Sequence, residues 1–349
     1  MKTTSLLCRP LFAAALLAGL VSLVSVSSAA LAVERCQKIH GMPGPEDITV
    51  NRAQNLLYVS SHNRRKADEN GKLFALDLSK PNAELQPIPL NVNYPPHFKP
   101  HGISWLQVGA KQRLVVISHP LLDGDDQMHT IEVFEGSGLD FVHVQTLRSP
   151  LLVSPNDVQA MPDGRIFVSN DNSAARGWQR SADNVFRRKT SRISFFDGKQ
   201  WSYIGRPVAA GNGVLVKQEG GKEYLYRSAF FENSVVKYEI VQTAQGTTDL
   251  QEVARMDVTY GPDNLELDEQ GNMLVALHPS VFRFILHLAS AQQKSPSQIA
   301  RINLANQQVT TLYQNDGSEI SAASTAVVHG SRMILSQVFE DFLLVCPLP

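Results

Sequence analysis

Six short hydrophobic runs in this chain each open on a polar side chain: Glu46-Asp47, His101, Asn156-Asp157, Asn212, Asp263-Asn264 and Ser324-Thr325. Measured between Glu46, His101, Asn156, Asn212, Asp263 and Thr325, the steps are 55, 55, 56, 51 and 62 residues. A period of that length is one four-stranded propeller blade with its loops. The runs read alike as strand, tight turn, strand: EDITVNRAQNLLYVSS, HGISWLQVGAKQRLVVISH, NDVQAMPDGRIFVSND, NGVLVKQEGGKEYLYRSA, DNLELDEQGNMLVALH and STAVVHGSRMILSQVF. The pattern predicts an all-β chain folded as a six-bladed β-propeller. In such a ring the innermost strand of each blade lines the channel, so one register position in every blade meets on the axis.

Glu46, Asp47, Asn156, Asp157, Asn212, Asp263 and Asn264 would bring carboxylate and amide oxygens to that axis, with no cysteine among them. Hard oxygen donors in this number favour Ca²⁺ over zinc or copper. Four carboxylates crowded together would repel one another and hold protons unless a cation neutralised them. Asn and Asp also begin strands simply as turn residues. Five blades in register exceed what that habit produces.

The first 32 residues carry Lys2 and Arg9, the apolar run LFAAALLAGLVSLVSV, and small residues at Ala30 and Ala32. This predicts a secretory signal peptide over 1–32, cut after Ala32, and a periplasmic or secreted protein. Residues 33–349 then form a single domain. No later segment has the unbroken apolar length to span a bilayer. The formal charge of −1 becomes −3 once Lys2 and Arg9 leave, so nothing points to nucleic acid. Cys8 leaves with the leader, while Cys36 and Cys346 stand at opposite ends of the mature chain. In an oxidising compartment a disulfide between them is expected, tying the first strand to the last and closing the ring.

Two insertions interrupt the rhythm, Ser173 to Lys189 and Ser280 to Gln298. Each follows a second strand that returns to the polar end of its blade, so both are expected to cover the active face. The first carries Arg176, Arg180, Arg187, Arg188 and Lys189 with Trp178 and Phe186. It reads as a solvated charged loop or as a guide for anionic or amphiphilic substrates. The second, with Phe282, Phe284, Ile285, Leu286 and Leu288, reads as a short helix over the channel or as blade-edge core.

His101 opens the second inner strand and His119 ends the strand folded back beside it. The hairpin brings the two imidazoles to one end, where one can orient the other as it takes a proton from water. His278 occupies the corresponding strand end of blade five.

In the segments GPEDITV, KPHGISW, VISHP, SPNDVQA, GNGVLV, PDNLELD and LHP, in this order, with the terminal cysteines, the chain resembles the serum paraoxonase/arylesterase family from about Cys36 to Cys346. Those proteins are six-bladed propellers that hydrolyse lactones, aryl esters and organophosphates with calcium. The resemblance implies two Ca²⁺ ions. A catalytic one would be held by Glu46, Asn156, Asn212, Asp263 and Asn264, and a structural one by Asp47, Asp157 and the backbone carbonyl of Ile103. It implies His101 and His119 as the catalytic pair, with Glu46 or Asp263 as alternative bases. Three departures bear on substrate range and membrane association. Asn172 follows Asn170-Asp171 where the family has histidine, Leu277 stands where it has a free cysteine, and the basic insertion replaces the apolar segment with which animal members meet lipid.

The expected function is thus calcium-dependent hydrolysis of lactones and aryl or carboxylic esters, with phosphotriesters as a side activity and a small-molecule substrate as the partner. Two rivals share the architecture. A gluconolactonase-like sugar lactone hydrolase would need one ion and no histidine pair. A non-catalytic binding propeller would use the ions structurally, since fold does not fix function.

Overall fold

The computed structural model describes residues 35–66, 68–120 and 129–349. The expected leader, its cleavage site and Cys8 lie outside the described residues. Six four-stranded sheets follow one another along the chain, with hydrogen-bonded neighbours antiparallel. Their inner strands are Pro45–Asn51, Pro100–Val108, Pro155–Ala160, Gly211–Glu219, Gly261–Leu267 and Ala323–His329. Each touches the next around the ring, and the last touches the first.

Five blades use consecutive strands. The sixth takes its outer strand from the other end of the chain: Gln37–His40 pairs antiparallel with Phe342–Pro347. Cys36 and Cys346 are bonded across this seam. The expected six-bladed ring, with its closing strand and disulfide, is what the chain forms.

The apolar core lies between blades rather than on the axis. Ile48 and Leu57 of blade one pack against Val327 and Ile334 of blade six, and Leu225 and Val236 of blade four pack against Phe167 and Ile193 of blade three. A second strand is covered on both faces by neighbouring sheets. For that reason Met273–His278 is buried along its whole length and reads as a continuous apolar run rather than an alternating one.

One irregularity recurs in all six blades. The pairing of first and second strand skips between Pro45 and Asp47, Pro100 and Ile103, Pro155 and Asp157, Gly211 and Val214, Pro262 and Leu265, and Ala323 and Ala326. The skipped residues are Glu46, His101-Gly102, Asn156, Asn212-Gly213, Asp263-Asn264 and Ser324-Thr325, the polar set that marks the repeat. A bulge takes a residue out of the ladder and re-aims its side chain. Glycine follows His101 and Asn212 because the next blade's bulge comes close. A Cβ on Gly102 would stand 2.7 Å from the Asn156 carbonyl oxygen, and one on Gly213 would stand 2.6 Å from that of Asp263.

The insertions form two short helices, α1 (Gly177–Val185) and α2 (Val281–Ala289). The Ser280 hydroxyl caps α2 by accepting from the Arg283 N–H. Among the described residues no helix is long and apolar enough to cross a membrane.

Candidate active site

Four side-chain oxygens from four blades are buried without a hydrogen-bond partner: Glu46 Oε2, Asn156 Oδ1, Asn212 Oδ1 and Asn264 Oδ1. Such atoms are costly to leave unmatched. All four share the bulge register, and apart from the His101 and Arg64 nitrogens near Glu46 Oε2 they have nothing to accept from, which suits a cation. Asp263, also buried, stands beside Asn264 on the same bulge. Among the described residues no group of three His, Cys, Asp or Glu side chains could hold a metal. The candidate site therefore depends on the amides of Asn156, Asn212 and Asn264 joining Glu46 and Asp263.

The amide nitrogens are used differently from the oxygens. Asn264 Nδ2 donates to Glu46 Oε1 at 3.2 Å and to Thr325 Oγ1 at 3.0 Å, and the Thr325 hydroxyl donates to Asp47 Oδ1 at 2.9 Å. Burial works to raise the Glu46 carboxyl, but His101, Arg64 and the Asn264 N–H hold it below its ordinary value. Asp263 goes the other way. Burial raises it, and the His278 ring, whose Nε2 is 2.6 Å from Asp263 Oδ2, only partly offsets that.

Asp47 and Asp157 form a second group deeper along the strands. Asp47 accepts from the N–H groups of Ile48 and Ile103 at 2.9 and 2.8 Å, and Asp157 from those of Val158 and Val214 at 2.7 Å each. Both carboxyls are raised well above the carboxylate range, first by burial. Asp47 is raised further by the Asp157 and Glu46 charges. A cavity of about 230 Å³ reaches both, with Glu266, Arg52, Trp105 and Gln159 among its walls. Glu266 is pushed up to about 7 by burial, with Arg52 pulling against that. Ile103 enters this layer through its N–H.

The structure brings His101 and His119 into direct contact, Nδ1 to Nε2 at 2.8 Å, and sets His101 Nε2 3.2 Å from Glu46 Oε2. A third ring, His129, continues the line, its Nδ1 2.8 Å from His119 Nδ1. Sequence reasoning missed His129 because it precedes the third strand of its blade, outside the repeat register. It also missed Arg64, a loop residue whose Nη2 is 3.8 Å from Glu46 Oε2.

Both helices sit at this end of the ring. The Phe284 ring of α2 lies 4.8 Å from that of His278, and Arg65 donates to the His287 and Leu288 carbonyls at its end. From α1, Arg180 Nη2 pairs with Asp171 at 2.6 Å. Lys189 pairs with Glu232 at 2.6 Å and Arg188 approaches Asp183 at 3.7 Å, so much of the basic insertion is neutralised locally. A recess of about 160 Å³ beside His278 is walled by Phe230, Phe231, Tyr260 and Val281, with Arg187 among its lining residues.

The arylesterase family model matches residues 47–348. Serum paraoxonase/lactonase 3 of Mus musculus is 23% identical over 325 residues, 89% of this chain and 88% of the mouse protein. Serum paraoxonase/arylesterase 2 of Gallus gallus is 24% identical over 328 residues, 90% of this chain and 89% of the chicken protein. Among solved structures, the calcium-binding protein regucalcin from Agrobacterium tumefaciens strain C58 has the same fold. Its TM-score is 0.53 at 12% identity, covering 89% of this chain and 93% of that one. With the family model spanning every blade, this chain belongs to the arylesterase family and is a hydrolase of ester bonds.

Proposed function

We propose that the protein is a calcium-dependent hydrolase of lactones and aryl or carboxylic esters, exported to an oxidising compartment. The observation that carries this reading is the set of buried acceptors in one bulge register, the amide oxygens of Asn156, Asn212 and Asn264 without a partner and Glu46 Oε2 facing the His101 imidazole. Glu46, Asn156, Asn212, Asp263 and Asn264 would hold one Ca²⁺, and Asp47, Asp157 and the Ile103 carbonyl a second. A Ca²⁺ in the first position supplies a Lewis acid for the substrate carbonyl and a positive charge for the oxyanion.

The chain's own residues manage the proton. His101 Nε2 takes a proton from water as the oxygen attacks the acyl carbon, and the imidazolium forms beside the Glu46 carboxylate. When the tetrahedral species collapses, the alkoxide or phenoxide leaves and receives that proton. His119 holds the His101 ring in orientation. His278 fixes the Asp263 carboxylate from the second strand of the same blade. The aromatic recess beside His278 suits the acyl chain or aryl group of the substrate.

The Cys36–Cys346 bond supports export, because such bonds persist outside the reducing cytosol. The reading is tested by assaying purified protein against lactones, aryl esters and phosphotriesters, with and without a calcium chelator. Turnover of lactones or esters that stops on chelation and returns with Ca²⁺ is expected. Turnover that chelation leaves untouched would remove the metal from the reaction.

A further inference from the structure

His101, His119 and His129 form an unbroken line of rings crossing at 66° and 89°, with 2.8 Å between nitrogens at both junctions. Each end of the line meets an acceptor. Glu46 Oε2 stands 3.2 Å from His101 Nε2. At the other end a hydrogen bond ties the His129 ring to the Val153 backbone and favours the protonated ring, as only the carbonyl can do. Since His129 Nδ1 is engaged by His119, its Nε2 is the atom left to donate to Val153.

The proton count along this line is what matters. A neutral imidazole carries one N–H. Burial, above all, keeps His119 well below its ordinary value and His129 at about 4, so both are neutral near pH 7. Three neutral rings would bring three protons to four contacts. One contact lacks a proton, and a fourth proton completes the line from Glu46 to Val153. With the N–H groups directed toward Val153, the vacancy is His101 Nε2.

We propose that His129 is a positioning residue for hydrolysis: anchored on the Val153 carbonyl, it directs the His119 N–H toward itself and through His119 holds the His101 ring in orientation. This rests on the reading of His101 as the base. The water O–H bond breaks and a new N–H bond forms at His101 Nε2. The N–H groups of His101 and His119 stay directed along the line toward His129 and Val153, which keeps the His101 ring in place as it takes the proton. His101 Nε2 then returns that proton to the leaving oxygen. No oxidant, reductant or further reactant is needed.

Two substitutions separate this role from packing. In His129→Gln the amide oxygen accepts from His119 and the NH₂ group donates to Val153, preserving the direction of the line. In His129→Phe the ring is filled and the line is cut. With a lactone or aryl ester as substrate, His129→Phe is expected to lower kcat about 10- to 100-fold at unchanged KM, the usual cost of losing the group that orients a reactive imidazole. His129→Gln should recover most of that rate. Nitrogen-15 spectra of the resting protein read the line without turnover: His119 carries its proton on Nδ1 in the parent and loses that preference in His129→Phe. A wild-type kcat in His129→Phe, or an unchanged His119 tautomer, overturns the proposal. Equal loss in the Gln and Phe variants also overturns it, because packing alone would then explain both. Full activity in His101→Gln instead removes the base reading, and leaves the tautomer result standing as evidence for the line.

Discussion

Asn264 turns its amide nitrogen onto Glu46, 3.2 Å from Oε1, and leaves its own oxygen buried without a partner. One side chain thus fixes the neighbouring carboxylate and offers a donor atom to the channel. Glu46 and Asn264 lie 218 residues apart, and they meet because both occupy bulges at the same end of their blades.

Calcium should therefore act in two separable ways. Asn264→Ala removes a donor and the Glu46 contact, and is expected chiefly to reduce turnover. Asp157→Ala removes a deeper carboxylate that bonds the Val158 and Val214 N–H groups, and is expected chiefly to lower the melting temperature. A ligand present at a hundred times its dissociation constant stabilises by about 2.7 kcal/mol, so chelation should be visible in a melting curve. Two calcium ions per chain by elemental analysis are expected. Unchanged stability and activity after metal removal would defeat the central-ion reading.

If His101 is the base, His101→Gln should lose most of the ester-cleaving rate, about 10²- to 10⁴-fold, while keeping its calcium and melting temperature. His119→Gln should lose less, because it acts through His101. Steady-state kinetics on the purified variants decide this. A near-parent rate in His101→Gln would move the role to a carboxylate such as Glu46 or Asp263.

Stability should fall on the acid side partly because of His62. Burial, with the Arg64 and Lys99 charges, pushes its pKa from 6.5 to about 4. Between those values the unfolded chain takes up a proton that the folded chain refuses, so folding weakens as pH drops from about 6.5 to 4. His62→Gln removes this term. Urea midpoints of parent and variant at pH 7 and pH 4.5 should show the variant gaining relative to the parent at the lower pH. A constant difference between the two would contradict it.

The terminal bond should matter for stability more than for chemistry, since it lies on the closing blade and Cys36 and Cys346 are 310 residues apart. In the chain-entropy view a loop of that length places the stabilisation near the upper end, about 5 kcal/mol. Cys36→Ser with Cys346→Ser is expected to lower the urea midpoint strongly and to leave kcat near the parent value under folding conditions. An unchanged midpoint would mean that the strand pairing of Gln37–His40 closes the ring unaided.

The six-bladed ring was legible in the sequence because a propeller repeats. A spacing near 55 residues and polar openings before apolar strands are local properties of the chain, and the terminal cysteines announced the seam. The same repeat marked Glu46, Asn156, Asn212, Asp263 and Asn264, residues that the structure places in the skipped register. What the repeat could not carry was the orientation of each side chain. That follows from the bulges, which release the marker residues from the ladder, and from neighbouring blades close enough that Gly102 and Gly213 have no room for a Cβ. Nor could it carry contacts made by loops. His129 and Arg64 reach the site from segments with no register, and helix α2 brings Phe284 against His278. Periodic strands fix which residues face the axis, since every blade meets the same neighbours. Which nitrogen faces which oxygen there depends on distances between residues remote in the chain, and only the closed ring sets those.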